Sequence, residues 1–172
     1  MTVLRVLTAP HRVLQTKTKR VGIHDGSIQR LIDDLIETMH AYEGVGLAAN
    51  QVGALQRVFV IQLPEDEEAQ VFINPEITRR EGQREVEEGC LSVPGYRGLV
   101  HRSERVRVKG LDRHGRPVRV KAEELLAQAL EHELDHLNGI LYIGHLVSKE
   151  SLWKLEPEET RPEVEAATPP QG

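Results

Sequence analysis

The 172-residue chain is predicted to fold as one α+β domain, with short, mostly antiparallel strands and hairpins packed around a central helix. Three features predict this fold: an amphipathic helical pattern at residues 28–39, a second helical pattern at 123–138, and short alternating segments between them. With 39% hydrophobic residues the chain can form one real core, and a second folded domain is not expected at this length.

The first helix is predicted from apolar residues that recur at positions i, i+3, i+4, i+7 and i+8. These residues are Ile28, Leu31, Ile32, Leu35, Ile36 and Met39. Asp25 or Ser27 can cap its start, and Gly44 is expected to stop it. The result is a long N-terminal amphipathic helix.

Short strands are predicted in the middle of the chain. Residues 57–62 indicate a buried strand, residues 71–73 indicate a second one that ends at Asn74 and Pro75, and residues 78–92 are charged and extended. Residues 105–108 and 117–120 alternate strictly between apolar and polar. A turn sequence at 112–115 joins them, which predicts a β-hairpin.

The second predicted helix is the central one. The chain after it ends in a segment with few apolar residues. Leu126, Leu130, Leu134 and Leu137 bury one side of the helix, and Gly139 ends it. A short third helix is predicted at 148–155. Residues 157–172 hold four prolines and four glutamates, so we expect one catalytic domain over residues 1–156 and a mobile Pro/Glu-rich tail over 157–172.

Composition excludes several classes of function. The formal net charge of −5 gives no electrostatic case for nucleic acid as the main ligand. No window approaches the roughly 20 apolar residues of a membrane span. The N-terminus lacks the apolar run of a secretory signal, so a cytoplasmic location is expected. Cys90 is the one cysteine, which excludes an intrachain disulfide.

The second helix carries the most informative motif, His-Glu-x-x-His. His132 and His136 are four residues apart, so on a helix both imidazoles lie on one face and can reach one metal ion. Glu133 lies beside them, where it can take a proton from a metal-bound water. Such a group activates water for attack on an amide carbonyl. The alternative is an ordinary helix with polar surface residues.

A catalytic metal site usually has three protein ligands and one open position. In one metalloprotease pattern the third ligand is a downstream histidine, but Tyr142 occupies that position here. Glu156, Glu158 and Glu159 follow at a distance that other metallopeptidases use, yet they fall in a proline-flanked acidic segment. Cys90 is the remaining candidate. A Cys-His-His donor set would on chemical grounds favour zinc.

Three segments together resemble the peptide deformylase family. They are Gly-Val-Gly-Leu-Ala-Ala-Asn-Gln at 44–51, Glu-Gly-Cys-Leu-Ser at 88–92 and His-Glu-Leu-Asp-His at 132–136, in the family's order and spacing. Pro-Gly-Tyr-Arg at 94–97 also resembles the family, and the match spans about residues 1–150. One departure is Glu131, where the family commonly has glutamine.

The resemblance implies a hydrolase that removes the formyl group from the N-terminal formylmethionine of newly synthesised polypeptides and releases formate. It implies one divalent metal ion, Fe²⁺, which Zn²⁺, Ni²⁺ or Co²⁺ can replace. The expected partners are N-formylmethionyl peptides of nascent chains and the ribosome near its exit, with no membrane and no sequence-specific nucleic acid.

The resemblance also implies roles for individual residues. Cys90, His132 and His136 would hold the metal, with Glu133 as general base. The Gln51 side chain and the Leu91 backbone N–H would donate hydrogen bonds to the oxyanion. The expected substrate-binding residues are Gly44, Val45, Gly46, Val86, Gly89, Arg97 and Leu125, with Leu126 as a further candidate for the methionine pocket. Some of these apolar residues could instead be plain core.

Two other functions compete with this one. A metallopeptidase that cuts internal peptide bonds would need a downstream third ligand. A metal-binding module without catalysis would need a closed fourth ligand rather than Glu133. For Asp135, orientation of a ligand imidazole and a plain surface carboxylate remain alternatives.

Overall fold

The computed structural model describes residues 2–23 and 25–156 of the chain. The predicted mobile tail, residues 157–172, lies outside the described residues. Within the described part, no helix has the length and apolar character needed to cross a membrane. The α+β class predicted from the sequence is confirmed.

Both predicted helices are present. Helix α1 spans Gly26–Ala41, and the Asp25 carboxylate caps its start by accepting a hydrogen bond of 2.9 Å from the Ser27 N–H. It ends before Gly44, because Glu43 adopts a positive φ of 56° and the Gly44 N–H then bonds to the Met39 carbonyl at 2.9 Å. Helix α2 spans Glu124–Leu137, close to the predicted bounds.

The strands form two antiparallel sheets. Their bounds are β1 Gly46–Ala48, β2 Val58–Ile61, β3 Gln70–Glu81, β4 Arg84–Cys90, β5 Val93–Arg102, β6 Arg105–Leu111, β7 Pro117–Glu123 and β8 Leu152–Lys154. One sheet has the order β1-β2-β3-β6-β7, and the other has the order β4-β5-β8. The predicted hairpin is confirmed as β6–β7, with Leu111 opposite Pro117.

The prediction that a strand ends at Asn74 and Pro75 is wrong. Strand β3 runs through both residues, with a shift of register against β6 between Ile73 and Glu76. Asn74 adopts a positive φ of 51°, and its side-chain amide exchanges two hydrogen bonds of 2.9 Å with the backbone of Val21. The pair therefore forms a bulge, where a proline without an N–H is tolerated.

The segment 78–92, expected to be extended throughout, is divided between the two sheets. Its first part completes β3 in the five-stranded sheet, and its second part forms β4 in the three-stranded sheet. Gly82, at a positive φ of 70°, lies between them and lets the chain change direction.

The prediction of a third helix at 148–155 is also wrong. A single 3-10 turn at Lys149–Ser151 leads into β8, which pairs with Tyr96, Arg97 and Gly98 of β5. So short a helix has little stability of its own. Pairing with the exposed edge of β5 satisfies the same backbone groups.

Helix α2 and helix α1 pack on opposite faces of the five-stranded sheet. Along β2, Phe59 and Ile61 belong to the core cluster that contains Leu130 and Leu134 of α2. Val58 and Val60 belong to the cluster that contains Ile32, Leu35 and Met39 of α1. This period-2 alternation divides the two helices between the two faces. Strand β1, at one edge of the sheet, contacts α2, and Gly46 of β1 lies against Glu133.

Candidate active site

Three potential metal ligands meet where β4 ends and α2 passes. The Nε2 atoms of His132 and His136 are 3.0 Å apart, and Cys90 Sγ lies 3.2 Å from Nε2 of His136. All three ligand atoms lie within 4.8 Å of one another, so they could hold one ion. Metal–nitrogen bonds of about 2.0–2.1 Å and metal–sulfur bonds of about 2.3 Å place neighbouring ligand atoms roughly 3.3–3.6 Å apart in a tetrahedral site. The donor set therefore fits a divalent metal.

A buried ion-pair network orients the side chain of His132. His132 donates its Nδ1–H to Glu88, which leaves Nε2 facing Cys90 and His136. Arg102 donates to Glu88 from Nε at 3.0 Å and from Nη2 at 2.6 Å, and it pairs with Asp135 at 2.6 Å. Asp135 is therefore joined to the ligand network through Arg102 and is not a plain surface carboxylate.

Glu88 and Arg102 of this network both stay charged. Burial alone would raise the pKa of Glu88, but hydrogen bonds and charges from His132 and Arg102 hold that pKa well below its usual range. Burial acts against the charge of Arg102 as well, yet its bonds to Glu88 and Asp135 raise its pKa. Glu88 is therefore a fixed anion beside His132.

Glu133 is buried next to the ligands without joining them. Its Oε1 lies 4.0 Å from Nε2 of His132, and its Oε2 has no hydrogen-bond partner among the described residues. Burial raises the pKa of this carboxyl to about 7. Gly46 of β1 makes the arrangement possible, because a Cβ there would come within 2.7 Å of Glu133 Oε1.

Gln51 is fixed by the backbone of its own turn. Its Oε1 accepts a 3.0 Å hydrogen bond from the Ala48 N–H. Its Nε2 is thereby directed toward Ser92 Oγ at 3.0 Å and Cys90 Sγ at 3.7 Å. An amide donor therefore lies beside the sulfur of Cys90.

A cavity of about 280 Å³ opens over this group. It brings together eleven of the residues predicted for the site: Gly44, Val45, Gly46, Gln51, Gly89, Cys90, Leu91, Arg97, Leu125, His132 and Glu133. Val45 and Leu125 are 40% and 43% exposed and form apolar parts of its rim. Val86 lies outside this lining, opposite Val100 in the β4–β5 pair, and Leu126 packs against the core.

The sequence of residues 3–152 matches the family described as polypeptide deformylase. The chain belongs to this family. Among similar proteins, a peptide deformylase of Dehalococcoides mccartyi is 53% identical over 163 residues, covering 95% of this chain and 98% of the relative. A peptide deformylase of Thermodesulfovibrio yellowstonii is 49% identical and covers 85% and 90% of the two chains.

Solved deformylase structures have the same fold. The Legionella pneumophila enzyme is 44% identical, with a TM-score of 0.82 over 86% of this chain and 88% of that one. The Synechococcus elongatus enzyme, solved in complex with actinonin, is 39% identical with a TM-score of 0.82 over 87% and 82% of the two chains. The chain is thus a metal-dependent deformylase that removes the N-formyl group from nascent polypeptides.

Several residues of the deformylase site were not predicted from the sequence. Gln128 and Ala129 line the cavity, and Asn50 donates from its side chain to the backbone carbonyl of His136. Asn50 lies in the segment 44–51 and Glu88 in the segment 88–92, both of which resemble the family. Their place in these segments could have marked them as site residues. Arg102 had no such signal, because its partners are distant in sequence.

Proposed function

We propose that Cys90, His132 and His136 bind one divalent ion and that Glu133 acts as general base in deformylation. The observation that carries this proposal is the convergence of the three ligand atoms beside a buried carboxylate whose Oε2 has no partner among the described residues. When bound, such an ion lowers the pKa of water and polarises a carbonyl.

Glu133 moves the proton in this scheme. Its carboxylate accepts the proton of the attacking water and then delivers it to the leaving amine of methionine. Burial suits Glu133 to both roles, because a pKa of about 7 lets the group accept and release a proton near neutral pH. The products are formate and a free amino terminus.

Gln51 and Leu91 supply hydrogen bonds to the negative oxygen that forms on the formyl carbon. Since the Ala48 N–H occupies Gln51 Oε1, the amide nitrogen of this side chain is directed toward Ser92 and Cys90, in the lining of the cavity. The backbone N–H of Leu91, next to the ligand Cys90, is the second donor. One donor of this kind typically lowers the barrier by ~2.7–4 kcal/mol.

The substrate backbone pairs with the free edge of β1. This strand is the edge of its sheet, and Gly44 and Gly46 border the cavity there without side chains. Val45 and Leu125 supply apolar surface for the methionine side chain. Gly89 lies in the cavity wall beneath Arg97, and the Arg97 guanidinium reaches substrate groups beyond the methionine.

Iron is the metal that we propose for the cell. This assignment rests on the resemblance to deformylases, since a Cys-His-His set would chemically also suit zinc. A thiolate-held Fe²⁺ with an open position should be sensitive to oxygen. To test this, metal-free protein is loaded with Fe²⁺, Ni²⁺ or Zn²⁺ without air, and formate release from a formyl-Met peptide is followed over hours with and without oxygen. We expect the iron form to decay in air with oxidation at Cys90, and the other two to last. Equal decay of the iron and nickel forms, with Cys90 unmodified by mass spectrometry, would contradict this account of the metal site.

We also propose a cytoplasmic location and an encounter with the substrate near the ribosome exit. The support is the substrate itself, which is a nascent chain. Cosedimentation with ribosomes that carry formylated nascent chains tests this, with empty ribosomes as the control. Recovery only in the free fraction would argue for action on released chains.

A further inference from the structure

We propose that the exposed face of strands β3, β6 and β7 binds the phosphate backbone of double-stranded RNA without reading its sequence. This surface, the basic face, consists of Arg79 of β3, Arg105, Arg107 and Lys109 of β6, and Arg119 and Lys121 of β7. Its binding of RNA goes beyond deformylation. Only the choice of RNA over DNA rests on the proposed function, because a nascent chain is synthesised beside ribosomal RNA.

Strand pairing brings five of these cations into two neighbouring rows. Arg107 lies directly opposite Arg79 of β3 on one side and Lys121 of β7 on the other. In the next row, two residues along β6, Lys109 lies directly opposite Arg119. Directly opposite residues project to the same face with Cβ atoms about 4.5–5.5 Å apart, and like charges placed so destabilise a sheet. Folding alone therefore does not explain these rows.

Three carboxylates share the face but neutralise only part of it. The ion pairs are Glu81–Arg79 at 2.6 Å, Glu81–Arg105 at 3.0 Å and Glu76–Lys109 at 3.7 Å, and Glu123 lies opposite Arg105. Among the described residues, Arg107, Arg119 and Lys121 form no ion pair. All three side chains are exposed, so their charges are available to an external anion.

The basic face lies on the side of the sheet opposite α2. Val106 and Val108 alternate with the cations of β6 and belong to the core cluster that contains Leu130 of α2. Helix α1 packs on the same side as the basic face, but over β1 and β2, and it leaves the cations exposed. No residue of the basic face is in the lining of the cavity at Cys90. Bound RNA would therefore leave the cavity open to substrate.

The composition of the basic face favours a duplex backbone over other polyanions. None of the exposed large apolar side chains in the described part of the chain lies on it. Protein interfaces depend on aromatic and apolar anchors, membrane-surface helices insert apolar side chains, and single-stranded nucleic acids stack their bases on aromatic rings. Lysine and arginine without such partners suit the phosphates of a duplex.

The binding test uses the full-length, metal-loaded protein and a fluorescent RNA duplex of about 16 base pairs. Fluorescence anisotropy at 50 mM salt should give a Kd of about 1–10 µM, equal for two duplexes of unrelated sequence. Since three or four neutralised phosphates give a slope of about −2.7 to −3.6 against log salt, affinity should fall about 40–150-fold between 50 and 200 mM salt.

The triple variant Arg107→Gln/Arg119→Gln/Lys121→Gln removes the unpaired cations of the basic face. It should weaken binding at 50 mM salt at least tenfold and bring the salt slope close to zero. Its melting temperature should not fall, because the substitutions remove like-charge pairs from the sheet. A weakened affinity with an unchanged melting temperature separates loss of the site from loss of the fold.

The matched control Arg12→Gln/Lys17→Gln/Lys149→Gln removes the same charge from exposed positions on other elements. It should bind RNA within twofold of the unaltered protein, and both triple variants should deformylate formyl-Met-Ala at the unaltered rate. If the unaltered protein releases no formate, the proposed function fails, whatever the RNA result.

Four results would overturn the RNA site while leaving deformylation standing. They are equal RNA affinity of the two triple variants, tighter binding of a DNA duplex than of the RNA duplex, and binding as tight to a polyglutamate peptide or to phosphatidylserine vesicles. The last two would identify an acidic protein segment or a membrane as the partner of the basic face.

Discussion

Two buried glutamates flank His132, a proposed metal ligand, and the contacts of the two glutamates indicate different roles. Glu131 accepts hydrogen bonds from the Ser103 N–H at 2.6 Å and the Ser103 hydroxyl at 3.1 Å, and it pairs with Arg80 at 3.3 Å. Its contacts are structural and lie away from the ligand atoms. Glu133 instead faces the cavity with an unpartnered Oε2. Glutamate in place of the family's usual glutamine at 131 therefore leaves the site intact.

Glu133 and Glu131 should therefore respond differently to replacement by glutamine. Glu133→Gln keeps the shape of the side chain and removes the base, so formate release should fall by about 10²–10⁴-fold while the bound metal stays stoichiometric. Glu131→Gln is the matched control, and it should keep activity within a few fold. Steady-state rates and metal analysis on both variants check this. A Glu133→Gln variant within tenfold of the unaltered protein at neutral pH would exclude the carboxylate as the base.

Cys90 is expected to be a ligand and not a nucleophile. Its sulfur lies 3.2 Å from Nε2 of His136 and accepts contacts from the Gln51 amide at 3.7 Å and the Ser92 N–H at 3.4 Å. Cys90→Ser should lose the metal, because a neutral hydroxyl is a poor replacement for thiolate. Metal content after dialysis is the measurement, with Glu133→Gln as the metal-retaining control. Stoichiometric metal of unchanged affinity in Cys90→Ser would refute a three-ligand site.

The ligands could be predicted because one helical turn connects His132 to His136 and because Cys90 stands inside a motif. Arg102 could not, since nothing local marks an arginine at the end of a strand as buried. Its side chain is only 3% exposed and is held by Glu88, 14 residues earlier, and by Asp135, 33 residues later. Contacts at that separation emerge only when the strands and the helix have come together.

Arg102 connects three elements of secondary structure. It lies at the end of β5 and binds Glu88 of β4 and Asp135 of α2, so it fixes the metal-ligand helix to the three-stranded sheet. Its partner Glu88 is buried and Asp135 is partly buried, and a buried carboxylate is costly to leave without a countercharge.

Replacement of Arg102 should therefore be strongly destabilising. For Arg102→Met we expect a loss of about 3–5 kcal/mol in the free energy of unfolding, and a fall in melting temperature of roughly 6–20 °C. Arg105→Ala is the control, since Arg105 is exposed in its pair with Glu81 and such pairs contribute about 0–1 kcal/mol. The measurement is the melting temperature of both variants in thermal unfolding. A fall for Arg102→Met no larger than that for Arg105→Ala would mean that the buried network does not stabilise the fold.

Local sequence patterns predict some of the strands and miss others. The β6–β7 hairpin was predictable because its turn sequence and its alternation are adjacent in the chain. The β8 segment was not, because its pairing partner in β5 lies more than fifty residues earlier and its own residues alternate too briefly. The bulge in β3 depends on Asn74 binding the backbone of Val21, which is another distant contact.

The family match ends at residue 152, and residues 157–172 are short of apolar residues and carry four prolines. We therefore propose that residues 1–156 are sufficient for catalysis. A protein that ends at residue 156 should keep its kcat/KM on small formyl-Met peptides and its melting temperature. A fall of more than about 5 °C, which for a domain of this size implies more than ~1 kcal/mol, would show that residues 157–172 contribute to the folded state.

We propose that one metal ion, held by Cys90, His132 and His136, gives the chain its deformylase activity. The most direct measurement is the rate of formate release from formyl-Met-Ala by metal-free protein, titrated with Fe²⁺ in the absence of air. We predict no release before metal is added, a linear rise, and a break at one equivalent of Fe²⁺ per chain. Release by the metal-free protein, or a rise that breaks only at two equivalents, would contradict the account.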